Sequence, residues 1–305
     1  MKTLITGGSG QVGFELQRQL CLLGEVYAPN RAELDLADAQ AVQAWLEHHR
    51  PTLIVNPAAY TAVDKAEDEP QLARRLNAEL PGQLAAYAAE QGVRLVHYSS
   101  DYVYPGSGQA PWTEDSPTGP LSVYGASKLA GDQAVTVSGC DALIFRTSWV
   151  YSARGNNFMK TMLRLGRERD ALSVVADQIG VPTPARLIAQ VTALALQQGW
   201  SPRASPLTFS IPPGTYHLAP RGETSWHGFA CEIFRQAAEK YKEPGETLAI
   251  TPEGVAAIPT TQYPTPAQRP LNSRLSLDKL EHALGVTLPG WEEQLKLTLA
   301  EHLGL

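Results

Sequence analysis

A short apolar run at the start of the chain leads at once into a glycine-rich turn. Residues 2–5 read KTLI, and residues 7–13 read GGSGQVG. This spacing satisfies both G-x-G-x-x-G and G-x-x-G-x-x-G. Glycines at Gly7, Gly10 and Gly13 permit a tight turn, close approach of a phosphate to the main chain, and close packing of a helix on the strand. The pattern predicts a βα turn that binds the pyrophosphate of a dinucleotide, and an ordinary glycine-rich turn is the alternative.

Between residues 2 and 150, short apolar runs alternate with longer segments of helical period. This alternation is typical of repeated βα units around a parallel sheet. We predict strands at 3–6, 25–28, 52–56, 94–98 and 142–146. We predict helices at 12–23, 39–48, 70–90 and 123–137. The expected fold class is α/β, with a Rossmann-type doubly wound parallel sheet and a smaller C-terminal substrate-binding domain.

After about residue 150, prolines break the chain into shorter pieces. We expect an NAD(P)-binding domain at 1–150 and a substrate-binding domain at 151–305, with a helix at 184–199 that can also pack on the first domain. Further helices are expected at 158–169, 184–198 and 225–241, the last with Thr224 as its N-cap.

The C-terminal third carries two further patterns. The proline-rich stretch 258–272 is expected to be an irregular loop that crosses a cleft. A last helix is expected from Pro289 onward, with an apolar stripe at i, i+4 spacing that faces the core. That stripe is Trp291, Leu295, Leu299 and Leu303.

Composition limits the function classes. The chain has 305 residues, 43% of them hydrophobic and 18% charged, which is enough to build a sizeable core and excludes low-complexity disorder. A net charge of −6 gives no general attraction to nucleic acid or to an anionic membrane. Three cysteines without a CxxC, and no apolar run of about 18 residues, favour a reduced, cytoplasmic protein with no membrane or nucleic-acid partner.

The end of the second predicted strand bears on cofactor preference. A fold of this kind that prefers NAD usually has an acid there for the ribose 2′-hydroxyl, and this chain has Asn30 followed by Arg31. A guanidinium suits a 2′-phosphate, so NADP(H) is expected to be preferred, while NAD(H) stays open if Arg31 is simply solvated. Asp35 is expected to border the adenine, and the segment 56–61 is expected to pass beside the cofactor.

Tyr124 and Lys128 form a Y-x-x-x-K pair that lies on one face of a predicted helix. Reduction of a carbonyl by hydride creates an alkoxide, which needs a proton donor. A phenol can donate that proton, and a nearby ammonium is expected to lower its pKa towards the working range. Ser100 follows the fourth predicted strand, where its hydroxyl can hold the carbonyl oxygen, although a strand-end cap is the alternative.

These residues together resemble the extended short-chain dehydrogenase/reductases, most of which act on nucleotide sugars. The resemblance spans nearly the whole chain and is strongest to the branch that reduces dTDP-linked 4-keto-6-deoxyhexoses. The similar segments are GQVGFELQ (10–17), TAVDKAEDEP (61–70), HYSSDYVYPG (97–106), VYGASKLAG (123–131), FRTSWVY (145–151), GNNFMKTMLRL (155–165), DQIGVPT (177–183) and YPTPAQRPLNSRL (263–275).

The resemblance implies a specific activity: NADPH-dependent reduction of the C4 keto group of dTDP-4-dehydro-L-rhamnose to dTDP-L-rhamnose, the last step in making that sugar for cell-surface polysaccharides. It implies cofactor contacts by Gly10, Gln11, Val12, Asp35, Leu36, Ala59, Tyr60, Thr61, Tyr124 and Lys128. It implies contacts to the sugar nucleotide by Ser100, Asp101 and Trp149. The family often has Thr where this chain has Ser100, a change that keeps the hydroxyl.

Two further features stay open at this point. Arg269, in the proline-rich loop, is either a diphosphate ligand or part of a salt bridge that fixes the loop. Some relatives carry Mg²⁺ bound by carboxylates at a dimer interface, so a homodimer and a Mg²⁺ ion are implied by resemblance alone. The sequence contains no metal-ligand spacing that supports or excludes the ion, and we assign no metal ligands.

Three alternatives remain. A sugar-nucleotide 4,6-dehydratase is disfavoured because Asp101 is followed by Tyr102 rather than by the glutamate that elimination of water requires. Another nucleotide-sugar reductase or a 4-epimerase is disfavoured less firmly, by Arg31 and the reductase-like segments. A non-catalytic dinucleotide-binding subunit, such as the regulatory subunit of methionine adenosyltransferase, is disfavoured by the intact Tyr124 and Lys128.

Overall fold

The computed structural model of the chain describes residues 1–197, 211–240 and 248–304. Within these ranges the strands are β1 (Lys2–Ile5), β2 (Glu25–Tyr27), β3 (Leu53–Asn56), β4 (Arg94–Ser100), β5 (Ala142–Thr147), β6 (Val150–Tyr151), β7 (Leu172–Val175), β8 (Ile179–Gly180), β9 (Thr183–Pro184), β10 (Gly214–His217), β11 (Thr224–Ser225) and β12 (Val255–Ile258). The helices are α1 (Gln11–Leu20), α2 (Ala39–His49), α3 (Pro70–Arg74), α4 (Leu80–Gln91), α5 (Val123–Val137), α6 (Phe158–Glu168), α7 (Ala185–Gln197), α8 (Trp226–Lys240), α9 (Asp278–Leu284) and α10 (Trp291–His302).

A six-stranded sheet forms the centre of the molecule, in the order β10-β5-β4-β3-β1-β2. All of its strand pairs are parallel. Strands β3, β4 and β5 are buried along their whole length, as a parallel sheet covered by helices on both faces requires. The chain reverses its direction of strand addition between β1 and β3, and ligands of such sheets bind at the carboxyl ends of the strands at this switch point. The predicted α/β fold class is confirmed.

The chain returns to the sheet after residue 150. Strand β10, which the sequence did not predict, pairs with β5 and completes the sheet. Helix α7 packs on α1 and, together with α9, contributes buried leucines to the core below the sheet. A second core lies between α6, α8 and α10. Segments on both sides of residue 150 therefore share the core of the sheet.

The expected helix at 70–90 is interrupted by a π turn. The structure has α3, then a π-helical turn at Arg75–Glu79, then α4. Pro81 has no N–H to donate to the carbonyl of Asn77 four residues earlier, so the regular hydrogen-bond ladder cannot continue there. The turn leaves the Asn77 side chain buried against the neighbouring helix, where its amide donates to Ser127 Oγ at 3.0 Å.

The N-cap of α8 differs from the sequence prediction, whereas the apolar stripe of α10 agrees with it. Thr224 is not the N-cap of α8, because Ser225 Oγ accepts the hydrogen bond from the N–H of Gly228 at 3.0 Å. The stripe of α10 faces the second core, as expected, with Trp291, Leu295 and Leu299 buried. The predicted helix ends at Gln198 and Tyr241, and residue 199, lie outside the described residues. In the described ranges, no helix is long and apolar enough to span a bilayer.

Candidate active site

A cleft of about 1690 Å³ opens at the carboxyl ends of β1, β3, β4 and β5. Its lining runs from the glycine turn, past the end of β4, to α6 and the loop after β12. It includes these predicted site residues: Gly7, Gly10, Gln11, Val12, Gly13, Arg31, Asp35, Leu36, Ala59, Thr61, Ser100, Asp101, Tyr124, Lys128, Trp149 and Arg269. Residues far apart in the sequence are thus brought to one cleft.

Tyr60 was also predicted to contact the cofactor. Although its neighbours Ala59 and Thr61 line the cleft, Tyr60 does not. Its hydroxyl donates to Glu69 Oε2 at 2.6 Å, and its main-chain N–H donates to Asn77 Oδ1 at 2.8 Å. The hydrogen bond to Glu69 also raises the pKa of Tyr60 to about 12. These bonds tie the segment after β3 to Glu69 and to the π turn, and the cofactor contact of Tyr60 stays a prediction.

The glycine turn has the geometry that an anion site needs. Gly7 has φ +60°, a conformation that favours glycine, and its carbonyl accepts the N–H of Gly10 at 2.9 Å. A Cβ on Gly13 would collide with the carbonyl oxygen of Gly7, so only glycine fits between the turn and the helix. Gly10 is the N-cap of α1 and no side chain caps the helix. The first N–H groups of α1 therefore face the cleft without a capping side chain, as a phosphate requires.

Arg31 lies at the rim of this part of the cleft. Its side chain is 85% exposed, and its guanidinium is 3.7 Å from the carboxylate of Asp35. An exposed pair of this kind contributes little to stability, so the guanidinium can turn to another anion at small cost. Asn30, which also lines the cleft, accepts hydrogen bonds from the main-chain N–H groups of Ala32 and Glu33 and so shapes the turn that contains Arg31.

Helix α5 presents Tyr124 and Lys128 to the cleft one turn apart. Ser122 caps the helix by accepting the N–H of Gly125 at 3.2 Å, which fixes its start. Lys128 is 2% exposed and donates from Nζ to the carbonyl of Tyr98 at 2.6 Å. Burial lowers the pKa of Lys128 to about 8, and the nearby Asp132 carboxylate opposes that fall.

The electrostatics of Tyr124 differ from the sequence expectation. Burial raises the pKa of the Tyr124 phenol well above its usual value, and hydrogen bonding to Ser100 only partly offsets the rise. Lys128 was expected to lower this pKa, but its ammonium is bound to the Tyr98 carbonyl, and burial has the largest effect on the phenol. The phenol is consequently protonated at neutral pH, which is the state a proton donor needs.

Ser100 combines the two roles that the sequence left open. Its hydroxyl accepts the N–H of Tyr102 at 3.2 Å, capping the short 3₁₀ turn after β4, and donates to Asp101 Oδ1 at 3.0 Å. The same hydroxyl lies near the Tyr124 phenol and acts to lower its pKa, against the larger effect of burial. Asp101 is 2% exposed, and burial raises its pKa to about 6. A hydroxyl, a phenol and a carboxyl group thus converge beside the end of β4.

An aromatic wall stands opposite this group. Trp149 is stacked on Trp226, with ring centroids 3.8 Å apart and an angle of 16° between the planes. Trp149 has φ +47°, which is rare for a bulky residue and marks a locally strained position. Trp226 Nε1 donates to Gln178 Oε1 at 3.2 Å. Trp226 and Gln178 also line the cleft but were not predicted, because no local motif connects them to Trp149.

Arg269 fits both interpretations of the sequence. Its Nη2 donates to Asp64 Oδ2 at 2.7 Å, so it fixes the proline-rich loop to the segment after β3. It also lines the cleft, and its Nη1 is buried without a hydrogen-bond partner.

The glycine turn is linked to the opposite side of the cleft by Gln11. Gln11 Oε1 accepts hydrogen bonds from Ser152 Oγ at 3.0 Å and from Asn157 Nδ2 at 2.9 Å. Asn157 is also the N-cap of α6, accepting the N–H of Lys160. The sequence pointed to Gln11 but not to this role, since its partners lie more than a hundred residues away. The cleft therefore has a direct polar tie between its two sides.

A metal ion would need several acidic, histidine or cysteine side chains close together in the folded chain. Across residues 1–197, 211–240 and 248–304, no three His, Cys, Asp or Glu side chains group in a way that could hold a metal ion. The buried Glu15 instead faces cations, with Arg186 at 3.6 Å and Arg18 at 3.7 Å. A Mg²⁺ ion shared between two subunits stays a prediction from the resemblance, and no step of the chemistry is assigned to a metal.

Comparison with known proteins places the chain in a family. The family described as "RmlD substrate binding domain" matches residues 1–303. The dTDP-4-dehydrorhamnose reductase of Salmonella typhimurium is 46% identical, with 99% of this chain and 98% of that protein covered. The protein of the same name from Burkholderia thailandensis is 45% identical, with 99% of each covered.

Solved structures agree with the sequence relatives. A dTDP-4-dehydrorhamnose reductase from Clostridium acetobutylicum has a TM-score of 0.88 and 36% identity, with both chains fully covered. The enzyme of that name from Bacillus anthracis, solved in complex with NADP, has a TM-score of 0.83 and 34% identity, with 98% of this chain and 99% of that chain covered. A Thermus thermophilus UDP-glucose 4-epimerase in complex with NAD has a TM-score of 0.76 at 22% identity, a likeness of fold alone. The chain therefore belongs to the RmlD substrate binding domain family, the family of the dTDP-4-dehydrorhamnose reductases.

Proposed function

We propose that the protein is an NADPH-dependent reductase that converts dTDP-4-dehydro-L-rhamnose to dTDP-L-rhamnose. The observation that carries the proposal is the convergence of Ser100, Tyr124 and Lys128 in a cleft that continues without interruption from the glycine turn. Because nucleotide sugars and NADPH are cytoplasmic metabolites, we place the reaction in the cytoplasm. The homodimer implied by the family resemblance stays a prediction.

The cofactor would occupy the side of the cleft built on the sheet. The free N–H groups at the start of α1, together with Gly7, Gly10 and Gly13, suit the pyrophosphate. Arg31 is exposed at the rim and suits a 2′-phosphate, which favours NADPH over NADH. Further contacts are assigned to the lining residues Gln11, Val12, Asp35, Leu36, Ala59 and Thr61.

The sugar nucleotide would lie across the opposite side, which residues 151–305 mostly build. Trp149 offers an aromatic face for the hexose ring, and Asp101 offers a carboxyl group to a sugar hydroxyl. Arg269 has a buried N–H group without a hydrogen-bond partner, and this group suits an oxygen of the diphosphate. These residues hold the C4 carbonyl near Ser100 and Tyr124.

The chemistry requires one hydride and one proton. When bound, the reduced nicotinamide supplies the hydride to C4 of the sugar. The Ser100 hydroxyl donates a hydrogen bond to the C4 oxygen and orients it towards Tyr124. The Tyr124 phenol gives its proton to that oxygen as negative charge develops, and the Lys128 ammonium stabilises the phenolate that forms. The products are an alcohol at C4 and an oxidised cofactor, with the phenol restored from solvent.

Turnover with purified protein tests this function directly. We expect oxidation of NADPH with dTDP-4-dehydro-L-rhamnose, much slower turnover with a GDP-linked 4-keto sugar, and a higher kcat/KM with NADPH than with NADH. Equal or better turnover of the GDP-linked sugar would instead support another nucleotide-sugar reductase. NADPH binding without turnover of either sugar would support a non-catalytic subunit.

Tyr124→Phe tests the assignment of the proton donor. General acid catalysis is worth roughly 10²-fold or more, so kcat should fall by at least that factor while the Kd for NADPH changes little. Tyr87→Phe is the matched control, because Tyr87 lies on α4 and is not part of the cleft lining. Turnover near that of the wild type in Tyr124→Phe would mean that another group donates the proton.

A further inference from the structure

Helix α5 carries a buried carboxyl group, that of Asp132, one turn beyond Lys128. Asp132 follows Lys128 at i+4, as Lys128 follows Tyr124, so the three side chains lie along one helix face. Asp132 is 3% exposed, and its Oδ2 accepts a hydrogen bond from Arg146 Nε at 2.9 Å. We propose that Asp132 is a positioning residue that keeps the buried Lys128 ammonium charged. The inference rests on the proposed function.

A buried ammonium needs a nearby anion. Lys128 is almost fully buried and has a hydrogen bond to the neutral carbonyl of Tyr98. Transfer of a charge into a protein interior is unfavourable unless an opposite charge accompanies it. Without such a partner the lysine would lose its proton, and a neutral amine cannot stabilise a phenolate.

Of the titratable groups around Lys128 that are described below, Asp132 is the one that can be its anion. His97 on β4 is fully buried, and burial holds its pKa well below the usual value, so it is neutral. Tyr124 on α5 is a protonated phenol, and Arg146 on β5 is a cation. Among these neighbours Asp132 supplies the negative charge, and its carboxylate raises the pKa of Lys128.

The carboxylate is itself fixed by a buried network across three strands. Arg146 on β5 donates from Nη1 to Tyr104 Oη at 2.8 Å, and Tyr104 Oη is 2.6 Å from His217 Nε2 on β10. On β4, His97 Nε2 lies 4.0 Å from Asp132 Oδ1. Burial raises the pKa of Asp132, and Arg146, which holds the carboxylate in position, opposes that rise. A carboxylate anchored in this way keeps its negative charge at a fixed position on the helix face that carries Lys128.

The pH dependence of NADPH binding and of turnover tests the proposal. Lys128 is charged below its pKa, so affinity and kcat should fall as the pH rises through about 8 in the wild type. Removal of an opposite charge at close range lowers a lysine pKa by about one unit or more. In Asp132→Asn the alkaline decline should therefore begin about one pH unit lower, with values about fivefold below the wild type at pH 8 and little difference at pH 6.

Asp141→Asn is the matched control, because Asp141, like Asp132, is paired with a buried arginine. It accepts hydrogen bonds from Arg94 at 2.9 and 2.7 Å, but at the opposite, amino end of β4 and β5. The alkaline decline should be unchanged in this variant and in Asp132→Glu, which keeps the carboxylate. If Asp132→Asn does not fold, the double variant D132N/R146M removes both buried charges and should show a displacement in the same direction, smaller because a neighbouring cation is lost with the anion.

The outcomes separate the two proposals. An unchanged alkaline decline in Asp132→Asn, or an equal loss at every pH, would overturn the positioning role. Absence of turnover in the wild type would overturn the proposed function instead. In that case the pH dependence of the NADPH Kd, measured by cofactor fluorescence, still tests the role of Asp132.

Discussion

Asp101 is a buried carboxyl group whose ionisation should cost stability at neutral pH. Burial raises its pKa from 3.8 to about 6, although the hydroxyl of Ser100 donates a hydrogen bond to it. Two pKa units correspond to about 3 kcal/mol between the ionised and the protonated forms. Asp101→Asn keeps the shape of the side chain and removes the charge, so we expect it to stabilise the protein.

The sign of the effect depends on pH. Below pH 4 the carboxyl group is protonated in both the folded and the unfolded chain, so the wild type and Asp101→Asn should have equal stability. As the pH rises through 6, the folded wild type must hold a buried carboxylate and loses about 3 kcal/mol relative to the variant. An entropy of unfolding of about 2.1 cal/mol/K per residue converts this into a gain of about 5 °C in the Tm of the variant at pH 7.5.

Thermal unfolding of both proteins between pH 4 and pH 8 measures this difference. The exposed Asp170→Asn is the control and should show no pH-dependent change relative to the wild type. A Tm difference for Asp101→Asn that is the same at pH 4 and pH 7.5 would refute the assignment of the cost to a buried charge. Turnover of the variant should fall in the same experiment, because stability sacrificed at an active site is usually tied to function.

Two further predictions concern packing and the link across the cleft. Gly131→Ala places a Cβ against the carbonyl oxygen of Asn77, so α5 must shift. We expect the free energy of unfolding to fall by about 2 kcal/mol, measured by denaturant unfolding. We also expect a clear fall in kcat, because Tyr124 and Lys128 move with α5. The control Gly82→Ala adds a methyl group between α4 and α5 with a nearest contact of 3.2 Å to Ala134 Cβ, and an equal loss of stability in the two variants would contradict the reasoning. Gln11→Ala removes two hydrogen bonds across the cleft, and steady-state kinetics should show a several-fold higher KM for the sugar nucleotide. An unchanged KM would mean that the bonds from Gln11 to Ser152 and Asn157 do not position the sugar-binding side of the cleft.

The parts of the site that the sequence predicted depend on short-range spacing. The glycine turn occupies seven consecutive residues, and Tyr124 and Lys128 are one helical turn apart, so their geometry follows from local structure. The position of Ser100 follows from the rule that parallel strands place their carboxyl ends at one edge.

The residues that the sequence missed meet only in the folded chain. Trp226 reaches Trp149 through a stack between segments 77 residues apart. Asn157 reaches Gln11 across 146 residues. The π turn left one local signal, because Pro81 interrupts an otherwise regular helical pattern. The pKa of Tyr124 was mispredicted because burial raises it. Burial is a property of the whole fold and does not follow from the spacing of residues on one helix.

The return of the chain to its sheet after residue 150 limits how the protein can be divided. A fragment ending at residue 150 would lack β10, and the whole of β5 would become an unpaired edge of buried residues. It would also lack α7, which covers α1. Apolar strand edges without a partner tend to pair with other chains, so such a fragment should aggregate. Separate expression of a cofactor-binding half would thus require β10 and α7 to be grafted back onto it.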